Sequence, residues 1–239
     1  LRKPTRHPPF LAVVITALLG TASAAHAAPI PLSAGSFVVF SGSFAEDDDQ
    51  FEIEFALAAP VQVFMETWSY GGGLNPNGDS VPAGGFAPIL SLFGPSDELL
   101  ADNAGGIAPA GCGPRTVDGS TGFCLDAFLA PPLLGPGTYR LVLTQYDNLA
   151  IGPTYGDGFL RAGEGNFTGP TLLGIPGSFI DPGLNQRTSA YSVSINLPAA
   201  ETAVPEPVTL VTLATGTLLC AARRRRMRHS RSHPSETTP

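Results

Sequence analysis

Apolar and polar side chains alternate strictly along Phe51-Glu52-Ile53-Glu54-Phe55-Ala56-Leu57, with Phe51, Ile53, Phe55 and Leu57 on one face and both glutamates on the other. A repeat of two is that of a β-strand with one buried face. Ala59-Pro60 then makes a turn, and Val61 to Trp68 predicts a second strand. Ala87 to Phe93 (APILSLF) is apolar throughout, which suits a strand buried on both sides, and Gly94-Pro95 closes it. After the turn Gly135-Pro136-Gly137, Thr138 to Tyr146 alternates again, and Tyr191 to Leu197 (YSVSINL) is the last clear strand. Phe37–Phe40 and Phe123–Phe128 are added as shorter strands.

Two segments break this rhythm. Phe10 to Leu19 is a ten-residue apolar run, and Val208 to Ala222 is a fifteen-residue run of apolar and small residues. Between them no stretch carries a 3.6-residue period. About seven strands separated by Gly/Pro turns predict an all-β fold, an antiparallel jelly-roll-like β-sandwich. It is flanked by an N-terminal signal helix and a short C-terminal transmembrane helix. The inserts richest in Gly and Pro, Gly71–Gly85 and Ala150–Pro182, are the expected mobile or binding segments.

The apolar ends gain meaning from what flanks them. Arg2, Lys3, Arg6 and His7 precede the first run, and Ala25-His26-Ala27 follows it. Positive residues, a short apolar core and an A-x-A site are the parts of a cleaved signal peptide. Residues 1–27 are therefore expected to be removed by a signal peptidase. Val208–Ala222 would make about 22 Å of helix at ~1.5 Å per residue, short of a hydrocarbon core of roughly 30 Å. Arg223, Arg224, Arg225 and Arg226 follow it and would hold that end in the cytoplasm. With the signal cleaved, both ends predict the same topology, domain outside and tail inside.

Charge sharpens the class. From residue 28 to 207 there are four arginines and no lysine against nineteen acidic side chains, a balance of −15. Such a surface repels nucleic acid and anionic lipid. All four histidines, His7, His26, His229 and His233, lie in the signal or the tail. The mature domain thus lacks the parts for a Ser-His-Asp triad, a His-ligated zinc site or a Schiff-base lysine. A carboxylate pair for glycoside hydrolysis is not excluded, though nothing in the spacing marks one.

Export into an oxidising compartment makes Cys112 and Cys124 candidates for a disulfide closing a Gly/Pro-rich loop. Their spacing alone does not establish the bond. Glu46-Asp47-Asp48-Asp49 gathers four carboxylates in one turn, and Asp47, Asp48 and Asp49 are candidate Ca²⁺ ligands if other loops supply the remaining oxygens. The alternative is a solvated acidic turn. Trp68, Tyr70 and Tyr146 are candidates for a sugar-binding platform, with core packing the alternative.

The C-terminal order, Pro205-Glu206-Pro207, then the apolar run, then the arginine cluster, resembles the PEP-CTERM sorting signal of Gram-negative bacteria that contain an exosortase. That resemblance implies Pro205, Glu206 and Pro207 as recognition residues and Arg223–Arg226 as the stop-transfer part. It also implies processing by a membrane-embedded exosortase. The acidic run before an amphipathic strand, the Leu90–Phe93 strand, Gly137–Asn148 and the Arg187-x-x-x-Tyr191 strand are similar to bacterial pre-peptidase C-terminal domains. The chain then divides into a signal peptide (1–27), an acidic ectodomain (28–203), a sorting signal (204–228) and a cytoplasmic tail (229–239). The expected function is that of a non-catalytic surface or extracellular-matrix protein, with exopolysaccharide as a partner and no nucleic acid. The alternatives are a Ca²⁺-dependent carbohydrate- or protein-binding module and a carboxylate-dependent glycosidase.

Overall fold

The computed structural model describes residues 28–105, 112, 113 and 115–199. The signal segment, the Pro205-Glu206-Pro207 motif, the apolar run behind it and Arg223–Arg226 lie outside the described residues. The strands are β1 (Ile30–Leu32), β2 (Phe37–Ser43), β3 (Phe51–Leu57), β4 (Phe64–Thr67), β5 (Gly73–Leu74), β6 (Ser80–Val81), β7 (Pro88–Phe93), β8 (Leu99–Asn103), β9 (Phe128–Leu129), β10 (Gly137–Gln145) and β11 (Ala190–Asn196).

They form a five-stranded sheet in the order β1-β3-β10-β7-β8 and a four-stranded sheet in the order β2-β11-β4-β9, with β5 and β6 as a separate hairpin. All pairings are antiparallel except β1 on β3, which is parallel. The two large sheets are a sandwich because their alternating apolar positions meet in one core. Ile53, Phe55, Leu90, Leu92, Leu141 and Leu143 come from the first sheet, and Met65, Leu129, Val193 and Ile195 from the second. Each is at most 5% exposed, so burial of these side chains, at about 1.5–3 kcal/mol each, is the main force holding the sheets together.

The strongly alternating segments form the strands expected of them. The predicted strand Val61–Trp68 is shorter, because Val61 bridges Leu134 instead of joining the ladder, and only Phe64–Thr67 pairs with β11. Phe123–Phe128 contracts to Phe128–Leu129.

The acidic strand face is also used. Arg140 stands opposite Glu54 in the β3–β10 register and binds its carboxylate at 2.7 Å. The Arg140 guanidinium lies 3.8 Å from the centre of the Tyr155 ring, whose hydroxyl donates to Glu52 at 2.6 Å. This pins the second insert to the outer face of the five-stranded sheet. Phe159 joins Phe93 and Val142 there in a small buried cluster, which is why β7 is buried on both sides. Within the Ala150–Pro182 insert, expected to be mobile or binding, Tyr155 and Phe159 form a third layer over that sheet, whereas Phe179 enters the main core.

Candidate functional site

The acidic turn is the hub that ties this insert down. Asp47 is fully buried. Its Oδ2 accepts hydrogen bonds from the Thr168 amide (2.8 Å) and hydroxyl (2.5 Å), and its Oδ1 accepts one from the Phe179 amide (2.6 Å). Asp48 accepts from the Gly163 amide, and Asp49 turns back to accept from Ala45 and Glu46. Both oxygens of Asp47 are thus taken by N–H and O–H donors, and so is Oδ2 of Asp48 and of Asp49. Asp47, Asp48 and Asp49, the candidate Ca²⁺ ligands, each accept at least one hydrogen bond from the protein itself. A buried carboxylate needs compensating donors, and here the protein supplies them. Other oxygen-bearing loops are similarly committed: Asp147 pairs with Arg161 at 2.9 Å, and Asp157 caps Thr154. Among the described residues no group of three or more His, Cys, Asp or Glu side chains is arranged to hold a metal ion.

Cys112 and Cys124 are bonded, with Cα atoms 5.5 Å apart. The loop they close positions Arg115 and Asp118. Arg115 donates to the carbonyls of Cys112 (2.6 Å) and Asp126 (3.1 Å). Asp118 forms a buried ion pair with Arg187 at 2.7 Å. Hydrogen bonds from Ser120 and the nearby Arg187 charge outweigh burial and hold the Asp118 carboxyl below the usual carboxylate range. Arg187 also donates to the carbonyls of Tyr70 and Gly85 and lies over the Tyr70 ring. All this serves to anchor the ends of the first insert, Gly71–Gly85.

The anchoring is tight at Gly71. Its amide donates to Asp126 at 2.7 Å, and a Cβ at that position would collide with the Thr116 carbonyl. Asp126 also accepts from Tyr70 N and Thr67 Oγ1, so its carboxylate is spent on structure. Held this way, the β5–β6 hairpin stands beside the outer face of the four-stranded sheet. Between them lies a groove of about 370 Å³ lined by Phe37, Phe64, Glu66, Trp68, Asn196 and the hairpin residue Leu74, among others.

Strand geometry explains the lining. Val63, Met65 and Thr67 face inward and are buried, so Phe64, Glu66 and Trp68 face out on the other side of the strand. In the β4–β11 register Glu66 stands opposite Ser194, and Phe64 opposite Asn196. The Trp68 indole donates to Ser194 Oγ at 3.0 Å, which fixes the ring's orientation. Phe64 stacks on Phe128 of the next strand, with ring centres 6.1 Å apart. Glu66 is half-buried among these rings. Loss of water, reinforced by the neighbouring negative charge of Asp126 and only partly offset by Arg115, pushes its carboxyl up to about 7.

Of the three aromatics proposed from the sequence for a platform, Trp68 lines the groove. Tyr70 is fully buried, its hydroxyl donating to Asp181 at 2.7 Å, and Tyr146 packs against Tyr70's cluster. Phe37, Phe64 and Glu66 were not singled out from the sequence. The signal was present in the outward positions of the Phe64-Met65-Glu66-Thr67-Trp68 alternation, where two large aromatics face away from the core.

Among the described residues lining this groove Glu66 is the one carboxylate, and Asp126 behind it accepts from three donors.

No family model matches the sequence, and no curated protein matches it. Among solved structures, the fold is similar to the pre-peptidase C-terminal domain of a collagenase from Bacillus anthracis. The identity is 12%, the match covers 71% of this chain and 94% of that one, and the TM-score is 0.31.

Proposed function

We propose that the chain is an exported, non-catalytic surface or matrix protein that an exosortase sorts and processes through Pro205-Glu206-Pro207. The observation that carries this reading is the order of segments: a signal with an A-x-A site, an acidic domain, the Pro-Glu-Pro motif, a short apolar run and four consecutive arginines. The domain is of the jelly-roll-like, pre-peptidase C-terminal type. Its character is consistent with life outside the cell. It carries a disulfide, and between residues 28 and 207 the sequence has neither histidine nor lysine. In this account the apolar run holds the protein in the inner membrane with its domain in the periplasm. Cleavage near the motif then releases it to the surface or medium, or attaches it to exopolysaccharide.

The test is the C-terminal peptide of the mature protein, read by mass spectrometry from a host with and without its exosortase. A terminus near 204–207 that depends on the exosortase is the expected result. A tail reaching Arg223 in both strains would leave an ordinary single-pass anchor and refute the sorting reading.

A further inference from the structure

We infer that the groove between the β5–β6 hairpin and the outer face of the four-stranded sheet binds a neutral polysaccharide chain, with Trp68 and Phe37 as stacking surfaces. A pyranose ring presents an apolar C–H face and a rim of hydroxyls. The groove offers the counterpart of both: aromatic rings at Phe37, Phe64 and Trp68, and hydrogen-bonding groups at Glu66, Ser194 and Asn196. Phe37 is 43% exposed, and Trp68 is pre-oriented by its hydrogen bond to Ser194, so little ordering is left for binding to cost.

A second depression of about 300 Å³ shares the hairpin residue Asn75 with the first. It is lined by Ser41, Ser69, Asp79, Tyr191 and Ser192, among others. The Ser69 hydroxyl there is buried without a hydrogen-bond partner among the described residues, an arrangement that is rare in folded proteins. Together the depressions follow β11 from Asn196 to Ala190, about 20 Å at ~3.4 Å per residue. That is the shape for a chain, not for a single small molecule.

Charge selects among chains. Among the described residues no lysine or arginine lines either depression, and the carboxylates there are Glu66 and Asp79. With the balance of −15 over residues 28–207, a uronate, sulfate or phosphate polymer meets repulsion and finds no cation to pair with. Glu66, with a carboxyl near the midpoint of its titration at neutral pH, serves a sugar hydroxyl as donor or acceptor. This inference draws on the export reading only in that polysaccharide is met outside the cell.

The full chain, exported and purified in detergent, is tested for retention on insoluble cellulose and chitin and for mobility loss in gels containing xylan or mixed-linkage glucan. Alginate serves as the polyanion. Binding to at least one neutral polymer is expected. Trp68→Ala should weaken it about tenfold, the effect of losing one stacked aromatic, and Phe37→Ala severalfold. Leu160→Ala, an equally exposed apolar change on the insert over the other sheet, should leave it unaltered. Because Phe37 is exposed, its variant reports on binding even if Trp68→Ala impairs folding. No binding to any neutral polymer, equal binding by wild type and both groove variants, or stronger binding to alginate would each overturn the inference. None of these would alter the C-terminal processing measured by mass spectrometry, so the two readings fail separately.

Discussion

Replacing Asp47 by asparagine isolates the role of the acidic run. The carboxylate takes three donors, two from Thr168 and one from Phe179, in a site without water access. An asparagine keeps one acceptor oxygen and turns an NH₂ group toward the rest. Whichever way the amide is placed, at least one buried donor faces another donor. A hydrogen bond to a charged group contributes about 1.5–3 kcal/mol and an orphaned buried N–H costs about 1–3 kcal/mol. The expected loss is therefore about 3–4 kcal/mol. In a domain of this size each kcal/mol lowers Tm by about 2–4 °C, which predicts a fall on the order of 10 °C. Thermal melts of the full chain, with added Ca²⁺ and with chelator, are the assay. The loss should be the same in both conditions, because the donors are protein groups. The reasoning is refuted if Asp47→Asn melts within about 2 °C of wild type. It is equally refuted if Ca²⁺ raises the wild-type Tm and the substitution abolishes that rise, since Asp47 would then be a cation ligand after all.

Two further outcomes follow from the groove and the disulfide. Glu66 keeps its proton up to about pH 7 when folded but, with its ordinary value of 4.5, releases it earlier when unfolded. The folded state thus binds more protons in that window, so stability rises as pH falls from 7 toward 4.5, and the cost is fully present above 7. The gap corresponds to about 3 kcal/mol, reduced to about 1–2 kcal/mol by solvent at the groove. Glu66→Gln should melt higher than wild type near pH 8 and converge with it near pH 5, and parallel melting curves at all pH values would refute this. Joint replacement of Cys112 and Cys124 by serine opens a loop of sequence separation 12 and should cost about 3 kcal/mol in the chain-entropy account. Denaturant unfolding measures it, and an unchanged midpoint would show that the loop is held by its other contacts.

The local pattern of this chain determines which segments are strands and which face of each is buried. Phe51–Leu57 alternates with a period of two, and that alternation alone dictates a core face and a more exposed face. In Thr138–Gln145 the second face is buried too, because Val142 and Thr144 lie under other parts of the chain. The outward set Phe64, Glu66 and Trp68 was legible on the same ground. Two-residue strands such as Gly73–Leu74 and Ser80–Val81 were not legible, because a repeat needs several residues to show. The parallel pairing of Ile30–Leu32 with β3 is likewise a choice of neighbour, which no local pattern encodes.

Tertiary structure alone decided what the polar residues do. Four acidic residues in one turn look alike in sequence whether they gather a cation or accept amides. The answer lay in Thr168 and Phe179, more than 100 residues further on, which bring their N–H groups to Asp47. The groove depends in the same way on distant partners. Ser194 and Asn196 come beside Glu66 and Phe64 through strand pairing, and the hairpin is set in place by Asp126, Arg187 and the close approach of Gly71 to Thr116. Periodicity is a property of neighbours along the chain and is read directly from it. The partner of a buried charge is set by packing the whole domain at once, and it becomes visible only when the fold is.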